Sequence, residues 1–350
     1  MAVLQRPWIF NPIWPRLPAT LPVRPLAPPP WLVRGVQQGW HWQWLRLMAG
    51  LGPADADGHY RRPQAAFTSL PALPADADTT GAHVLIVGRS CPWAHRAWLV
   101  WSLRELGSTI ELVVVEPDPQ AGRWRFEPPF EGCNSLLELY RRCGAGAGVR
   151  ATVPLLYSRS RSQVLVGESA LLIELLNQWP AAAGAPDLDP DDQRQSTVAW
   201  RQRLQHSVND GVYRCGFART QAAYDQAEAE LFATLQAAEH TLAASPWLSG
   251  AQPSLADVQL FTTLIRLELV YAPLFGVSRQ PLWQLPALWQ WRSRFHALPG
   301  VAASCWPEAW RRDYFGALFP LNPSGLIPAG PELATLVGAC PVGTSHGSPL

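Results

Sequence analysis

The stretch that most limits what this chain can fold into is Val84-Leu85-Ile86-Val87-Gly88-Arg89-Ser90-Cys91-Pro92-Trp93-Ala94-His95-Arg96. An apolar run closed by Gly88 reads as a buried strand, a short polar turn follows, and Pro92 is suited to the first position of a helix. Cys91 then falls at the helix N-cap, where unpaired amides and the positive end of the dipole point at its sulfur. The sequence therefore predicts a nucleophilic thiolate with a lowered pKa, since helix N-termini of this kind bring cysteine from ~8.5 into the range ~3.5–7.5. Arg89 and Arg96 are close enough in sequence to add to the effect. Position 94 is alanine, so there is no dithiol three residues on. Any disulfide formed by Cys91 must join a small thiol or another chain.

A chain of 350 residues has room for a large core and two packed domains. Apolar residues make up 48% and charged ones 16%, as suits a soluble globular protein, and a net charge of +1 does not point to nucleic acid. Every basic side chain is arginine, and 35 prolines and 18 tryptophans are unusually many, a pattern of biased coding composition. The cysteines at 91, 133, 143, 215, 305 and 340 show no regular spacing and no pairing with histidine, so no metal is expected. Free thiols fit a reducing, cytoplasmic setting. No uninterrupted apolar run reaches about 18 residues, so no membrane span is predicted.

Residues 1–53 hold five arginines and no acid, and prolines break the first thirty. Arginine excess also marks organellar transit peptides, whose amphipathic helix the prolines argue against. Val36, Trp40, Trp44 and Leu47 recur at helical spacing, and the stripe is expected to pack onto the protein's own body rather than lie at a membrane interface. Residues 54–80 read as an extended arm. From Val84 the pattern is strand, helix to about Leu106 and strand Ile110 to Val115, a parallel βαβ unit. Residues 117–150 read as a long irregular stretch with one helical pattern around Leu136 to Tyr140. A hairpin follows, 152–157 with 163–166, and Gly167-Glu168-Ser169 opens a helix. Together these make a thioredoxin arrangement. After a linker at 180–192 the chain reads as helix to about 300, and Ser254-Leu255-Ala256-Asp257 caps a helix apolar almost all round that must be buried. The expected architecture is α/β plus all-α: an extension and arm over 1–80, a thioredoxin-like domain over 81–180, an all-helical domain over 193–331 and a flexible tail over 332–350.

Cys91-Pro92-Trp93-Ala94-His95-Arg96 resembles the Cys-Pro-Trp-Ala-x-Arg signature of the glutathionyl-hydroquinone reductases, the Xi class of glutathione transferases. Gly58-His59-Tyr60-Arg61-Arg62 with Phe67 resembles that class's arm, and Asn209-Asp210-Gly211-Val212-Tyr213-Arg214-Cys215-Gly216-Phe217-Ala218 resembles its Asn-x-Gly-Val-Tyr-x-x-Gly-Phe-Ala segment. Tyr314, with Leu321-Asn322-Pro323-Ser324-Gly325-Leu326-Ile327-Pro328, resembles the His-Tyr-Tyr and Ile-Asn-Pro-Thr-Gly-Ile-Val-Pro ending, although Asp313 and Phe315 stand where the class has histidine and its second tyrosine. The resemblance covers residues 55 to about 331.

The resemblance implies a cis Val153-Pro154 bond whose residue Val153 pairs by its backbone with the cysteinyl part of glutathione. Ser169 is placed to hold the γ-glutamyl carboxylate at a helix start and Glu168 to accept from the amine, although Glu-Ser at such a position also serves as an ordinary cap. Trp124 and Arg150 are implied as further glutathione contacts, and Tyr213 and Tyr314 as phenols facing the quinol. The implied activity is reduction of glutathionyl-hydroquinones through a Cys91–glutathione disulfide, with glutathione as co-substrate, quinol conjugates as substrates and a second copy of the chain as partner. Two alternatives stay open, an omega-like thiol transferase or dehydroascorbate reductase, and a non-catalytic interaction module of the same fold.

Overall fold

A computed structural model of the chain describes residues 27–118 and 123–341, and the chain divides into two compact units, Met1–Trp44 and Leu45–Leu350. Helix α1, Pro30–Leu51, opens on a proline whose missing N–H costs nothing in a first turn, and it runs across the division. Of the stripe expected to be packed away, Val36 is 64% exposed, Trp40 43% exposed and Leu47 exposed as well, whereas Trp44 is half-buried.

In the larger unit, β1 (His83–Gly88), α2 (Pro92–Leu103) and β2 (Ile110–Asp118) form the expected parallel βαβ unit, with Val84 opposite Glu111 and Gly88 opposite Val115. Every residue of β1 is buried, His83 included, and the rest of the strand is the apolar run that a central position requires. The stretch read as irregular instead holds β3 (Arg123–Phe130) and β4 (Cys133–Ser135) before α3 (Leu136–Arg142). Pro128 and Pro129 hide β3 from a pattern reading because proline is confined to edges and bulges of sheets. The ladder indeed shifts register between Arg125 and Phe130. The hairpin β5 (Leu155–Ser158) and β6 (Gln163–Val166) lies antiparallel to β1 and leads into α4 (Ser169–Gln178), giving the sheet order β4-β3-β2-β1-β5-β6. The stretch β2-β1-β5-β6 is the thioredoxin-like arrangement.

The helical half comprises α5 (Arg194–Leu204), α6 (Gly211–Gly216), α7 (Gln221–Ala244), α8 (Leu255–Leu264), α9 (Ala272–Phe275), α10 (Pro286–His296), α11 (Pro307–Ala317) and α12 (Leu333–Leu336). Every residue of α8 is buried. Leu255–Phe275 is apolar and long enough to cross a membrane by composition, yet 83% of it lies inside the protein, so it is a core helix. It starts on the expected capping box, Ser254 with Asp257. Asp257 Oδ2 accepts from the Ser254 amide and hydroxyl (2.9 and 2.7 Å), and Oδ1 accepts from the Leu248 amide and Trp291 Nε1 (3.1 and 2.8 Å). The tail expected to be flexible docks as far as 340. Leu336 is buried, its carbonyl accepts from Arg292 Nη2 at 2.6 Å, and the Gly338 carbonyl accepts from Trp289 Nε1 at 2.9 Å. Residues 342–350 lie outside the described ones.

Two buried groups join the halves. Arg266 Nη1 donates to His95 Nδ1 (2.9 Å) and to the Thr262 carbonyl (2.8 Å). A guanidinium has no acceptor, so His95 Nδ1 carries no proton and Nε2 is the N–H, donating to Ser304 Oγ at 2.8 Å. Burial and the Arg266 charge hold His95 well below the usual histidine range.

Asp257→Ala strips four donors of their acceptor and is expected to cost about 3 kcal/mol of stability, measured by denaturant unfolding. Because His95 stays neutral in the fold while an unfolded histidine binds a proton at about 6.5, stability falls as pH drops below that value, by up to ~1.4 kcal/mol per pH unit for this site. His83 and His296, also lowered by burial, act in the same direction. Urea midpoints that fall on acidification, with a shallower slope in His95→Gln, are the expected result; equal slopes contradict it.

Candidate active site

Cys91 caps α2 with an extended backbone, and Pro92 follows at the first helical position. The strand and turn before it deliver the sulfur to the C-terminal end of β1. Gly88 is required there: an added Cβ would stand 2.7 Å from the indole ring of Trp124, which lies across the end of the strand. Trp124 itself is held on β3 opposite Pro117. The Val153-Pro154 bond is cis, and the Cys91 thiol donates to the Val153 carbonyl at 3.5 Å. Tyr140 hydroxyl, donating to the Thr152 carbonyl at 2.7 Å, fixes the approach to this turn. Cys91 and Val153 thus meet directly, and Trp124 covers the strand end from which Cys91 follows.

The thiol differs from expectation in its ionisation. The amides of Ala94 and Trp93 and the charges of Arg266 and Arg62 favour the thiolate, but desolvation is larger and pushes Cys91 above the ordinary thiol value. The sequence shows the helix start and not the depth of the sulfur. Nor do Arg89 and Arg96 serve it directly. Arg89 pairs with Glu116 and lies over the Trp306 ring. Arg96 is buried and donates from Nη1 to Ser169 Oγ (3.4 Å) and Gln205 Oε1 (3.0 Å), leaving Nε and Nη2 buried without a partner.

Glu168 and Ser169 sit at the head of α4, as predicted. Glu168 is also the cap of that helix, accepting from the Ala170 amide at 3.3 Å, and Ser169 is buried. Arg62 from the arm stands 3.9 Å from Glu168 and 3.4 Å from Asp210, and its guanidinium lies 3.5 Å from the centre of the Trp93 ring. Arg96 stacks on the same ring at 4.3 Å. Asp210 also accepts from Gln205 Nε2 at 2.9 Å. Two carboxylates, a serine hydroxyl and two guanidiniums around one indole form a zwitterion-sized polar cluster. Sequence reasoning missed Asp210, whose signal was its place one residue after Asn209 in the Tyr213 segment. Arg150 is exposed in the loop ahead of the cis turn, within electrostatic reach of the Tyr60 hydroxyl, and the structure brings it no closer to the cluster.

The arm is tied down by its backbone. The Phe67 carbonyl accepts from the amides of Gly167 (2.8 Å) and Glu168 (3.2 Å), and the Gly58 carbonyl accepts from Arg219 at 2.9 Å. Tyr60 thereby packs on Phe217 and Tyr213, with ring centres 5.3 and 6.4 Å apart.

Tyr213 and Tyr314 share a 2.5 Å hydrogen bond although 101 residues separate them. A third phenol, Tyr271, stands 3.4 Å from the Tyr314 hydroxyl, and sequence reasoning missed it. Its signal was hidden inside the apolar run of the core helix. Leu267–Tyr271 forms a π-type turn there, and Gln205–Asn209 forms another just ahead of Tyr213; such bulges re-aim side chains and recur at functional sites. Trp93 stacks on Tyr213 with 6.1 Å between centres. Burial pushes the Tyr213, Tyr271 and Tyr314 hydroxyls up, the first and last far above the usual phenol value, so all three remain protonated donors at neutral pH. Cys91 lies within electrostatic reach of Tyr213 and Tyr271. Of the departures from the family ending, Asp313 pairs with Arg312 at 2.7 Å and Phe315 is buried. Among the described residues no group of three or more His, Cys, Asp or Glu is placed to hold a metal.

Residues 221–294 match the glutathione S-transferase C-terminal domain. The chain is 30% identical over 319 residues to the glutathionyl-hydroquinone reductase YqjG of Escherichia coli, an alignment covering 86% of this chain and 94% of that protein. Among solved structures it is similar to the glutathione transferase Xi of Phanerochaete chrysosporium, with a TM-score of 0.74 and 28% identity over 79% of this chain and 94% of that one. It is likewise similar to glutathione-bound YqjG from Escherichia coli K-12, with a TM-score of 0.69 and 28% identity over 83% and 95% of the two chains. A cysteine capping the helix after β1, a buried capped core helix and this extent of likeness lead to one conclusion: the chain belongs to the glutathionyl-hydroquinone reductases, the Xi class of glutathione transferases.

Proposed function

We propose that this protein reduces glutathionyl-hydroquinones to hydroquinones at the expense of glutathione. The observation that carries the reading is the pair of protonated phenols, Tyr213 and Tyr314, joined at 2.5 Å in a pocket that Trp93 links to Cys91. The thiolate of Cys91 attacks the glutathione sulfur of the conjugate. The carbon–sulfur bond breaks, its electron pair stays on the ring carbon, which takes up a proton, and Cys91 is left disulfide-bonded to glutathione. A second glutathione thiolate attacks that disulfide, releasing oxidised glutathione and regenerating Cys91. Over the cycle one glutathione thiol and the thioether sulfur of the conjugate become the disulfide, and the ring carbon takes up the two electrons and a proton.

Each residue cluster has a part in this reading. The Val153 backbone and Trp124 hold the cysteinyl part of the tripeptide, while Ser169, Glu168 and Asp210 receive the charged γ-glutamyl end. Arg150 is placed to meet a carboxylate from the loop side. Tyr213, Tyr314 and Tyr271 donate to the ring oxygens and hold the ring in place while its carbon takes up the proton. Arg266 supports ionisation of the sulfur from beneath: it is fully buried, it is held by His95, Thr262 and the face of Trp310 at 4.1 Å, and its charge favours the Cys91 thiolate.

Cys91→Ser is expected to abolish turnover. Incubation with oxidised glutathione should add about 305 Da to the wild type, at Cys91, and nothing there in the variant. Tyr213→Phe combined with Tyr314→Phe should lower kcat/KM on a glutathionyl-hydroquinone by ~100-fold while changing reduction of a small mixed disulfide less than about threefold. Equal losses on both substrates favour the thiol-transferase alternative. In the ligand-free protein, alkylation of Cys91 by iodoacetamide should rise with pH only above the ordinary thiol range of ~8.5, and Arg266→Met should move the inflection higher. An inflection near that of an acidic thiol would show that the helix terminus outweighs burial.

A further inference from the structure

Helix α1 is used by none of the chemistry above, yet it carries an unusual surface. Trp31 is 68% exposed, Val36 64% and Trp42 60%, and Leu32, Val33, Trp40 and Leu47 are exposed as well. Val33, Val36, Trp40 and Leu47 recur at offsets of three, seven and fourteen residues, so they share one face of a helix about 33 Å long. Soluble chains seldom leave so many large apolar side chains together on one element unless it has something to meet.

We propose that α1 lies flat in the interface of an anionic phospholipid membrane, its Val33-Val36-Trp40-Leu47 face in the acyl boundary and its arginines at the headgroups. Three observations choose this occupant. First, residues 1–53 hold five arginines and no acidic residue, Arg34 and Arg46 within the helix itself, so the segment complements anionic headgroups. A second copy of the same segment would set these charges against each other. Second, Trp40 on this face supplies the amphipathic ring that prefers the headgroup level to either phase, while Trp31 and Trp42 stand on the opposite side of the helix. Third, Arg34, Gln37, Gln38, His41, Gln43 and Arg46 are distributed through the helix, too polar a series for hydrocarbon on all sides, and the described stretch apolar enough to span is Leu255–Phe275 in the core. The helix therefore lies on a membrane and does not cross it.

The test is flotation of the full-length protein with vesicles of phosphatidylcholine alone or of phosphatidylcholine mixed with phosphatidylglycerol, alongside size-exclusion chromatography without lipid. Wild-type protein is expected to float with the anionic vesicles and to stay behind with the neutral ones. Val36→Glu with Trp40→Glu should weaken binding at least about tenfold, and Arg34→Gln by roughly fivefold, since one basic residue near an anionic surface is worth about that factor. Both variants should keep wild-type turnover, which shows that the catalytic body is folded. The proposal is overturned if wild-type protein ignores both vesicles or if the variants float as it does. It is equally overturned if the wild type runs as an oligomer that Val36→Glu with Trp40→Glu dissolves, for then a second copy covers the face.

Discussion

The arrangement of the larger unit depends on one buried cation that has no carboxylate beside it in its hydrogen-bond set. Arg266 grips His95 on α2 and the Thr262 carbonyl on the core helix, and the Trp310 ring closes over it. Trp310 in turn donates to the Arg89 carbonyl at 3.0 Å, two residues before Cys91. The turn that presents the sulfur is thus clamped from both sides by groups of the helical half. Leaving Nε and Nη2 of Arg266 buried and unsatisfied is costly. The Arg266 charge favours the Cys91 thiolate, although desolvation of the sulfur outweighs it.

The two subsites use opposite electrostatics. Around Trp93, charges of both signs are crowded together: Arg62 and Arg96 on its faces, Glu168 and Asp210 close by. Around Tyr213 there are only rings and neutral hydroxyls, with Phe217 and Phe275 at 6.0 and 5.4 Å. The first environment suits a zwitterionic peptide and the second an uncharged aromatic ring. Trp93 belongs to both, stacking under the guanidiniums and on Tyr213.

Local patterns were legible in the sequence wherever a residue type forces a backbone. Pro92 fixed the helix start at Cys91, Ser254 with Asp257 fixed the start of the core helix, and β1 announced itself by an unbroken apolar run. What was hidden depends on distance along the chain or on depth. No local pattern reveals that Tyr271 reaches Tyr314, because a π-type turn inside an apolar helix looks like more core. The strand carrying Trp124 was masked by its two prolines, and the docked segment around Leu336 by its shortness between Pro331 and Pro341. The ionisation of Cys91 was misread for a related reason: the favourable amides are encoded next door, whereas the desolvation that outweighs them is contributed by residues far off in sequence.

The arm has an implication for divergence. A single piece of backbone fastens by Phe67 to the amides at the head of α4 and, seven residues earlier, lays Tyr60 against the phenol-lined wall. Whatever moves that wall pulls on the same strap that fastens to the head of α4. The two ends of the strap are therefore inherited together, and a lineage that reshapes the wall around Tyr60 must compensate within the arm.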